Sequence, residues 1–292
     1  MQSTFALRFI LLVLSLAWML TSLESAQPTQ SEPQLVLKSG RVYTWTLPGL
    51  PPTLFKQVLE IDEPAAITVG LPAQYDAEKA YPLVVLIGGA QGGSGHDVQY
   101  VQKIMGDQDV IVAALPLFLR ELAPVNSNES NKWRRMYISG AEGEHIWAAW
   151  KPLVDVLFDQ VPNIDRAHCF LGGFSNGANA TVAVLGNPET RDEVLKYFNH
   201  FILVEGGMEI GGADQLAGTH FLLVEGDEEV AQRSRRDRSL GQRAEALSQL
   251  KHVKVEYWTM PKTGHEFPAP EKRKVANWIR AQCQLSPLPE SE

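Results

Sequence analysis

Short apolar runs without polar interruption recur along this chain and constrain its fold more than any other feature. Leu83-Val84-Val85-Leu86-Ile87 is one, and Val110-Ile111-Val112-Ala113-Ala114-Leu115 is the next. Ala167 to Leu171, Phe201-Ile202-Leu203-Val204 and Phe221-Leu222-Leu223-Val224 follow. A strand with one wet face alternates apolar and polar residues, so a run that does not alternate is buried on both faces. Helical patterns lie between the runs, over residues 97–105, 146–158, 175–185, 192–197, 232–250 and 271–282. Strands alternating with helices predict an α/β chain with an open, mostly parallel sheet and helices on both faces. Val253 to Trp258 does alternate, which places it at a sheet edge. Ahead of the first run, Val42 to Thr46 alternates too, and 55–61 with 65–69 reads as a hairpin.

The run at Ala167–Leu171 leads into Gly172-Gly173-Phe174-Ser175-Asn176-Gly177-Ala178, a Gly-x-Ser-x-Gly segment, and then into a small-residue helical pattern. A serine on a sharp strand-to-helix turn presents its hydroxyl as a nucleophile, and glycines let strand and helix approach closely. The same letters also fit a glycine-rich turn whose serine merely caps a helix. Other segments bear on this choice. The run ending at Ile87 continues as Gly88-Gly89-Ala90-Gln91-Gly92-Gly93. A backbone N–H in the Gly89–Ala90 region, together with that of Asn176, would form an oxyanion hole. A loop without a ligand is the plainer reading, and the missing Gly-Lys-Ser/Thr argues against a phosphate cradle.

After the last strand comes Thr263-Gly264-His265-Glu266-Phe267-Pro268. A histidine on a short loop there suits a general base for Ser175, and it is last in the order Ser, acid, His. The acid is expected after the Phe221–Val224 run, in Glu225-Gly226-Asp227-Glu228-Glu229. Asp227 and Glu229 are the candidates, with Glu209 after the preceding strand as an outside one. His96, His145, His168, His200, His220 and His252 have no such setting.

From about Tyr81 to Gln282, these motifs resemble the α/β-hydrolase fold, and within it secreted esterases of the dienelactone hydrolase and polyhydroxybutyrate depolymerase-like type. The resemblance implies Ser175 as nucleophile and His265 as base. Two places depart from the family pattern. Gly88 stands where relatives often have a histidine at the start of the oxyanion loop, and Glu229 stands in the register of a frequent Asp.

Between the second run and the helix at 146 lies a long segment containing Trp133, Arg134, Arg135 and Tyr137. Long loops in compact domains are often lids or binding walls. Trp133 and Tyr137 would give an apolar or sugar-stacking surface, and the arginines would meet an acidic substrate group. An exposed loop with some aromatic packing is the alternative.

A net charge of -8 argues against nucleic acid as a partner. Arg8, the apolar stretch 9–20 and the small residues to Ala26 read as an export signal over 1–26. Membrane association is expected only if that signal is retained. A linker over 27–34, a domain over 35–284 (with 35–78 as an N-terminal β extension) and a disordered tail over 285–292 complete the expected organisation. The two cysteines, Cys169 and Cys283, are expected unpaired, and the scattered histidines suggest no metal site. The expected protein is a secreted or periplasmic serine hydrolase of carboxylic esters, small or polymeric, that needs no cofactor. A serine peptidase of the same fold, or a non-catalytic binding protein on this scaffold, are the alternatives.

Overall fold

The computed structural model describes residues 36–46, 66–89, 98–106, 109–117, 143–207, 210, 215–228 and 239–289. The chain divides into two units, Met1–Val36 and Leu37–Glu292, and every element below lies in the second. The strands are β1 (Val42–Thr46), β2 (Ala66–Gly70), β3 (Tyr81–Ile87), β4 (Ile111–Ala114), β5 (Ile164–Phe174), β6 (His200–Val204), β7 (His220–Gly226) and β8 (Lys254–Met260). The helices are α1 (Val98–Met105), α2 (Gly143–Gln160), α3 (Asn176–Gly186), α4 (Pro188–Val194), α5 (Leu240–Ser248) and α6 (Ala269–Gln282).

Among the described residues the strands form one sheet in the order β1-β2-β4-β3-β5-β6-β7-β8. β2 pairs antiparallel with both β1 and β4, and every pair from β4 through β3 to β8 is parallel. Successive side chains on β3 explain its unbroken apolar sequence. Leu83, Val85 and Ile87 pack in one cluster with α2, α3 and α5. Val84 and Leu86 pack in the other with α1 and α6. Both faces are therefore dry, as the non-alternating runs predict. β8 carries a mixed pattern of exposed and half-buried residues and has β7 as its neighbour in the sheet, in line with its edge position.

Local chemistry sets the helix starts. Ser239 and Gln242 form a reciprocal capping box at the head of α5. Asn187 accepts the Glu189 N–H at 2.8 Å ahead of Pro188 in α4. The strand half of the expected hairpin at 55–61 lies outside the described residues, while Ala66–Gly70 is β2 and pairs with Val42–Thr46. Of the expected tail, residues 285–289 are described. Leu285 and Leu288 pack against the α1–α6 cluster, and Leu288 N donates to Asn277 Oδ1 at 2.9 Å. Two leucines three apart give this described segment apolar surface to bury. Both cysteines are free, and Cys169 is buried in β5.

Candidate active site

In a parallel sheet all the strand C-termini meet at one edge, and the described candidates Gly89, Ser175, Asn176, Asp227 and His265 follow strand ends there. β5 ends at Phe174, and Ser175 follows with φ 54° and ψ -112°. A side chain at positive φ is strained, and such strain persists only where surrounding contacts over-determine it. Here Ser175 N donates to Val204 O at 2.8 Å, and Ser175 O accepts from Asn179 N at 3.0 Å. The flanking glycines have no room for side chains. A Cβ on Gly177 would sit 2.2 Å from Ile87 O, and one on Gly173 would sit 2.5 Å from the Gly177 carbonyl carbon. The first turn of α3 thus rests directly on the end of β3.

Ser175 makes no side-chain capping bond to α3. Its Oγ lies 2.8 Å from His265 Nε2 instead. That geometry separates the two readings of the Gly-x-Ser-x-Gly letters, because a capping serine spends its oxygen on the helix. His265 sits on the loop after β8. Its ring packs 5.4 Å from Phe174, which is stacked on Phe267.

Among the described residues, Glu205 brings a carboxylate toward the other side of the imidazole, its Oε2 lying 3.9 Å from His265 Nδ1. Its side chain is fully buried. Glu205 follows β6, with φ 52°. Its backbone N–H donates to Val224 O at 2.9 Å, and its Oε1 accepts the N–H of Gly226 at the end of β7. The next two residues bind this loop to the serine turn. A Cβ on Gly206 would fall 2.2 Å from Ser175 O, and Gly207 N donates to Asn179 Oδ1 at 2.7 Å. The Glu205 loop and the serine turn are therefore held together by these contacts.

Of the described carboxylates, Glu205 rather than the expected Asp227 approaches His265 Nδ1. Asp227 is exposed, and its Oδ1 accepts from Thr263 N at 3.3 Å, so its carboxylate is engaged by the backbone of the histidine loop. Glu225 is wholly buried and serves α5: it accepts from Leu240 N at 3.1 Å, Gly241 N at 2.9 Å and the Tyr257 hydroxyl at 2.9 Å. Glu229 and Glu209 lie outside the described residues. The approach of Glu205 to His265 was not expected from the sequence. The signal was a lone carboxylate closing an otherwise apolar strand and followed by Gly206-Gly207.

Asn176 opens α3, where first-turn N–H groups have no acceptor within the helix. Gly89 lies alongside: a Cβ there would be 3.2 Å from Ser175 Cβ. Asn176 and Gly89 thus flank the serine, while Ala90, Trp133 and Tyr137 lie outside the described residues. His168, His200 and His220 stand together far from this site, toward the N-terminal edge of the sheet. The His200 ring centroid lies 6.2 Å from that of His168 and 5.6 Å from that of His220, its partner in register on β7.

No protein-family profile matches the chain, and no curated protein matches it. Solved structures do, and they define the architecture: this is an α/β-hydrolase fold. An S-formylglutathione hydrolase from Agrobacterium tumefaciens superposes with a TM-score of 0.53 at 11% identity, covering 86% of this chain and 98% of that one. An acylaminoacyl peptidase superposes with a TM-score of 0.56 at 16% identity, covering 87% of this chain and 43% of that one. A thermostable esterase gives 0.49 at 16%, covering 84% of this chain and 60% of that one. The chain therefore spans less than two thirds of the length of the last two.

Proposed function

We propose that this chain is a serine hydrolase of carboxylic esters, with Ser175 as nucleophile, His265 as general base and Glu205 as the orienting acid. The observation that carries the reading is the 2.8 Å contact from His265 Nε2 to an Oγ that caps no helix. In this account Ser175 Oγ attacks the ester carbonyl while Nε2 takes its proton. The imidazolium so formed faces the buried Glu205 carboxylate, which fixes the tautomer and stabilises the charge. The oxyanion accepts hydrogen bonds from the N–H of Asn176, at the positive end of α3, and from the Gly89–Ala90 segment. Nε2 returns its proton to the departing alcohol, and water then releases the acyl group by the same steps in reverse.

An ester is favoured over a peptide on the resemblance of the motifs around Gly89, Ser175 and His265 to those of secreted esterases. The finer reading, a secreted esterase of the dienelactone hydrolase type, rests on the motifs around Gly89, Ser175 and His265. Trp133 and Tyr137 remain the proposed substrate wall. Export is proposed from the apolar stretch 9–20 and is tested by the N-terminus of the mature protein, expected near residues 22–26.

The functional test is turnover of p-nitrophenyl acetate and butyrate at neutral pH. Hydrolysis that falls by about 10³-fold or more in both Ser175→Ala and His265→Ala supports the proposal. Equal rates in wild type and Ser175→Ala would instead indicate a binding protein on this scaffold.

A further inference from the structure

Asp227 sits close to the site and has a different task. Resting on the reading of Ser175 and His265 as nucleophile and base, we propose that Asp227 is a positioning residue, clamping the turn at 261–264 that carries His265 without acting on the imidazole.

The clamp engages both backbone groups of Thr263. Thr263 N donates to Asp227 Oδ1 at 3.3 Å, and Thr263 O accepts from Glu228 N at 3.1 Å. Gly226 supplies the floor: a Cβ there would lie 2.1 Å from Thr263 O and 2.6 Å from Gly264 O. The turn thus lies flat on the end of β7, and Thr263 is buried. Its preceding residue is under strain, since Lys262 holds a φ of 53° without being glycine. A strained turn persists only when its neighbours hold it. The N–H of Lys262 holds the Asp227 carboxyl below the usual carboxylate range, with the N–H groups of Thr263 and Glu228 adding to this. The carboxylate is therefore ionised at neutral pH and spends its acceptor capacity on the turn. Gly226 also donates to Glu205, so the same strand end places the acid and the base.

Three variants test this: Asp227→Ala, which removes the acceptor; Asp227→Asn, which keeps an oxygen at the Oδ1 position; and Glu205→Gln. Misplacing a catalytic group by about 1 Å can cost about 100-fold in rate, so Asp227→Ala is expected to lower kcat by about 10- to 100-fold. KM should stay within about twofold, since substrate binding is untouched. Asp227→Asn is expected to recover most of kcat. Amide hydrogen exchange over 261–265 should accelerate in Asp227→Ala, but not in Asp227→Asn or Glu205→Gln. Unchanged exchange in Asp227→Ala would overturn the proposal. So would a kcat in Asp227→Asn as low as in the alanine variant, because charge rather than turn geometry would then be the contribution. If the wild type hydrolyses no ester, the functional reading fails, and the exchange comparison still decides whether Asp227 holds the turn.

Discussion

Glu205→Gln isolates the electrostatic part of the proposed mechanism. Glutamine keeps the oxygen that accepts the Gly226 N–H, so the loop after β6 retains its anchor. What disappears is one negative charge 3.9 Å from His265 Nδ1. At an effective dielectric of about 20, a unit pair at that distance is worth about 4 kcal/mol. The imidazole is charged only as the reaction proceeds, so nearly all of this is differential stabilisation of the transition state. At about 1.4 kcal/mol per decade the expected fall in kcat is about 10³-fold, with KM little changed. Folding stability should not fall, because a neutral amide in a buried site escapes the desolvation cost of a carboxylate. The assay is steady-state hydrolysis of p-nitrophenyl butyrate beside a urea melt of the same preparation. A kcat within about threefold of wild type, with stability unchanged, would refute Glu205 as the orienting acid.

Other perturbations probe the scaffold. Gly177→Ala drives a methyl group to 2.2 Å from Ile87 O and should destabilise the protein by about 3 kcal/mol or more in urea melts. Gly218→Ala meets no atom within 4 Å, so only the left-handed backbone penalty of about 1–2 kcal/mol applies. Glu225→Ala strips acceptors from the head of α5 and from Tyr257, with an expected loss of about 3 kcal/mol by the same measurement. Burial first, then His220, His168 and Lys254, push the His200 pKa down to about 4. The fold therefore holds His200 neutral, and its contribution is complete above the unfolded value near 6.5. That contribution is lost as pH falls from about 6.5 toward 4, and after discounting for solvent screening it amounts to about 1–2 kcal/mol. His200→Phe should flatten the pH dependence of the melting temperature in that window.

The central sheet was legible because burial on both faces leaves a mark in one dimension: Leu83 to Ile87 cannot be a half-wet strand. Ser175 was legible for a related reason, since Gly173 and Gly177 are demanded by a backbone contact with β3 that no other residue permits. The nearness of His265 to Ser175 followed from its place after the last strand. The approach of Glu205 to His265 was not legible, and the cause is geometric. β6 and β7 are parallel neighbours in register, so the residue closing either strand arrives at the same sheet edge. Chain order alone does not say which one faces the imidazole. The decision is made by contacts distant in sequence: Gly206 against Ser175 O, Gly207 on Asn179, and the Gly226 N–H on Glu205. Glu225 shows the converse, a carboxylate in a motif-like place that is committed to a helix terminus.

The most direct test of the account is covalent capture of the nucleophile. A fluorophosphonate reacts with a serine only where a base activates it and an oxyanion hole receives the phosphonyl oxygen. Intact-mass analysis of the full chain, followed by peptide mapping, should show one adduct per chain on Ser175. The adduct should be absent from Ser175→Ala and much slower to form in Glu205→Gln. Wild-type protein that remains unlabelled at neutral pH, or that carries the adduct on another residue, would contradict the assignment of Ser175 and the hydrolase reading built on it.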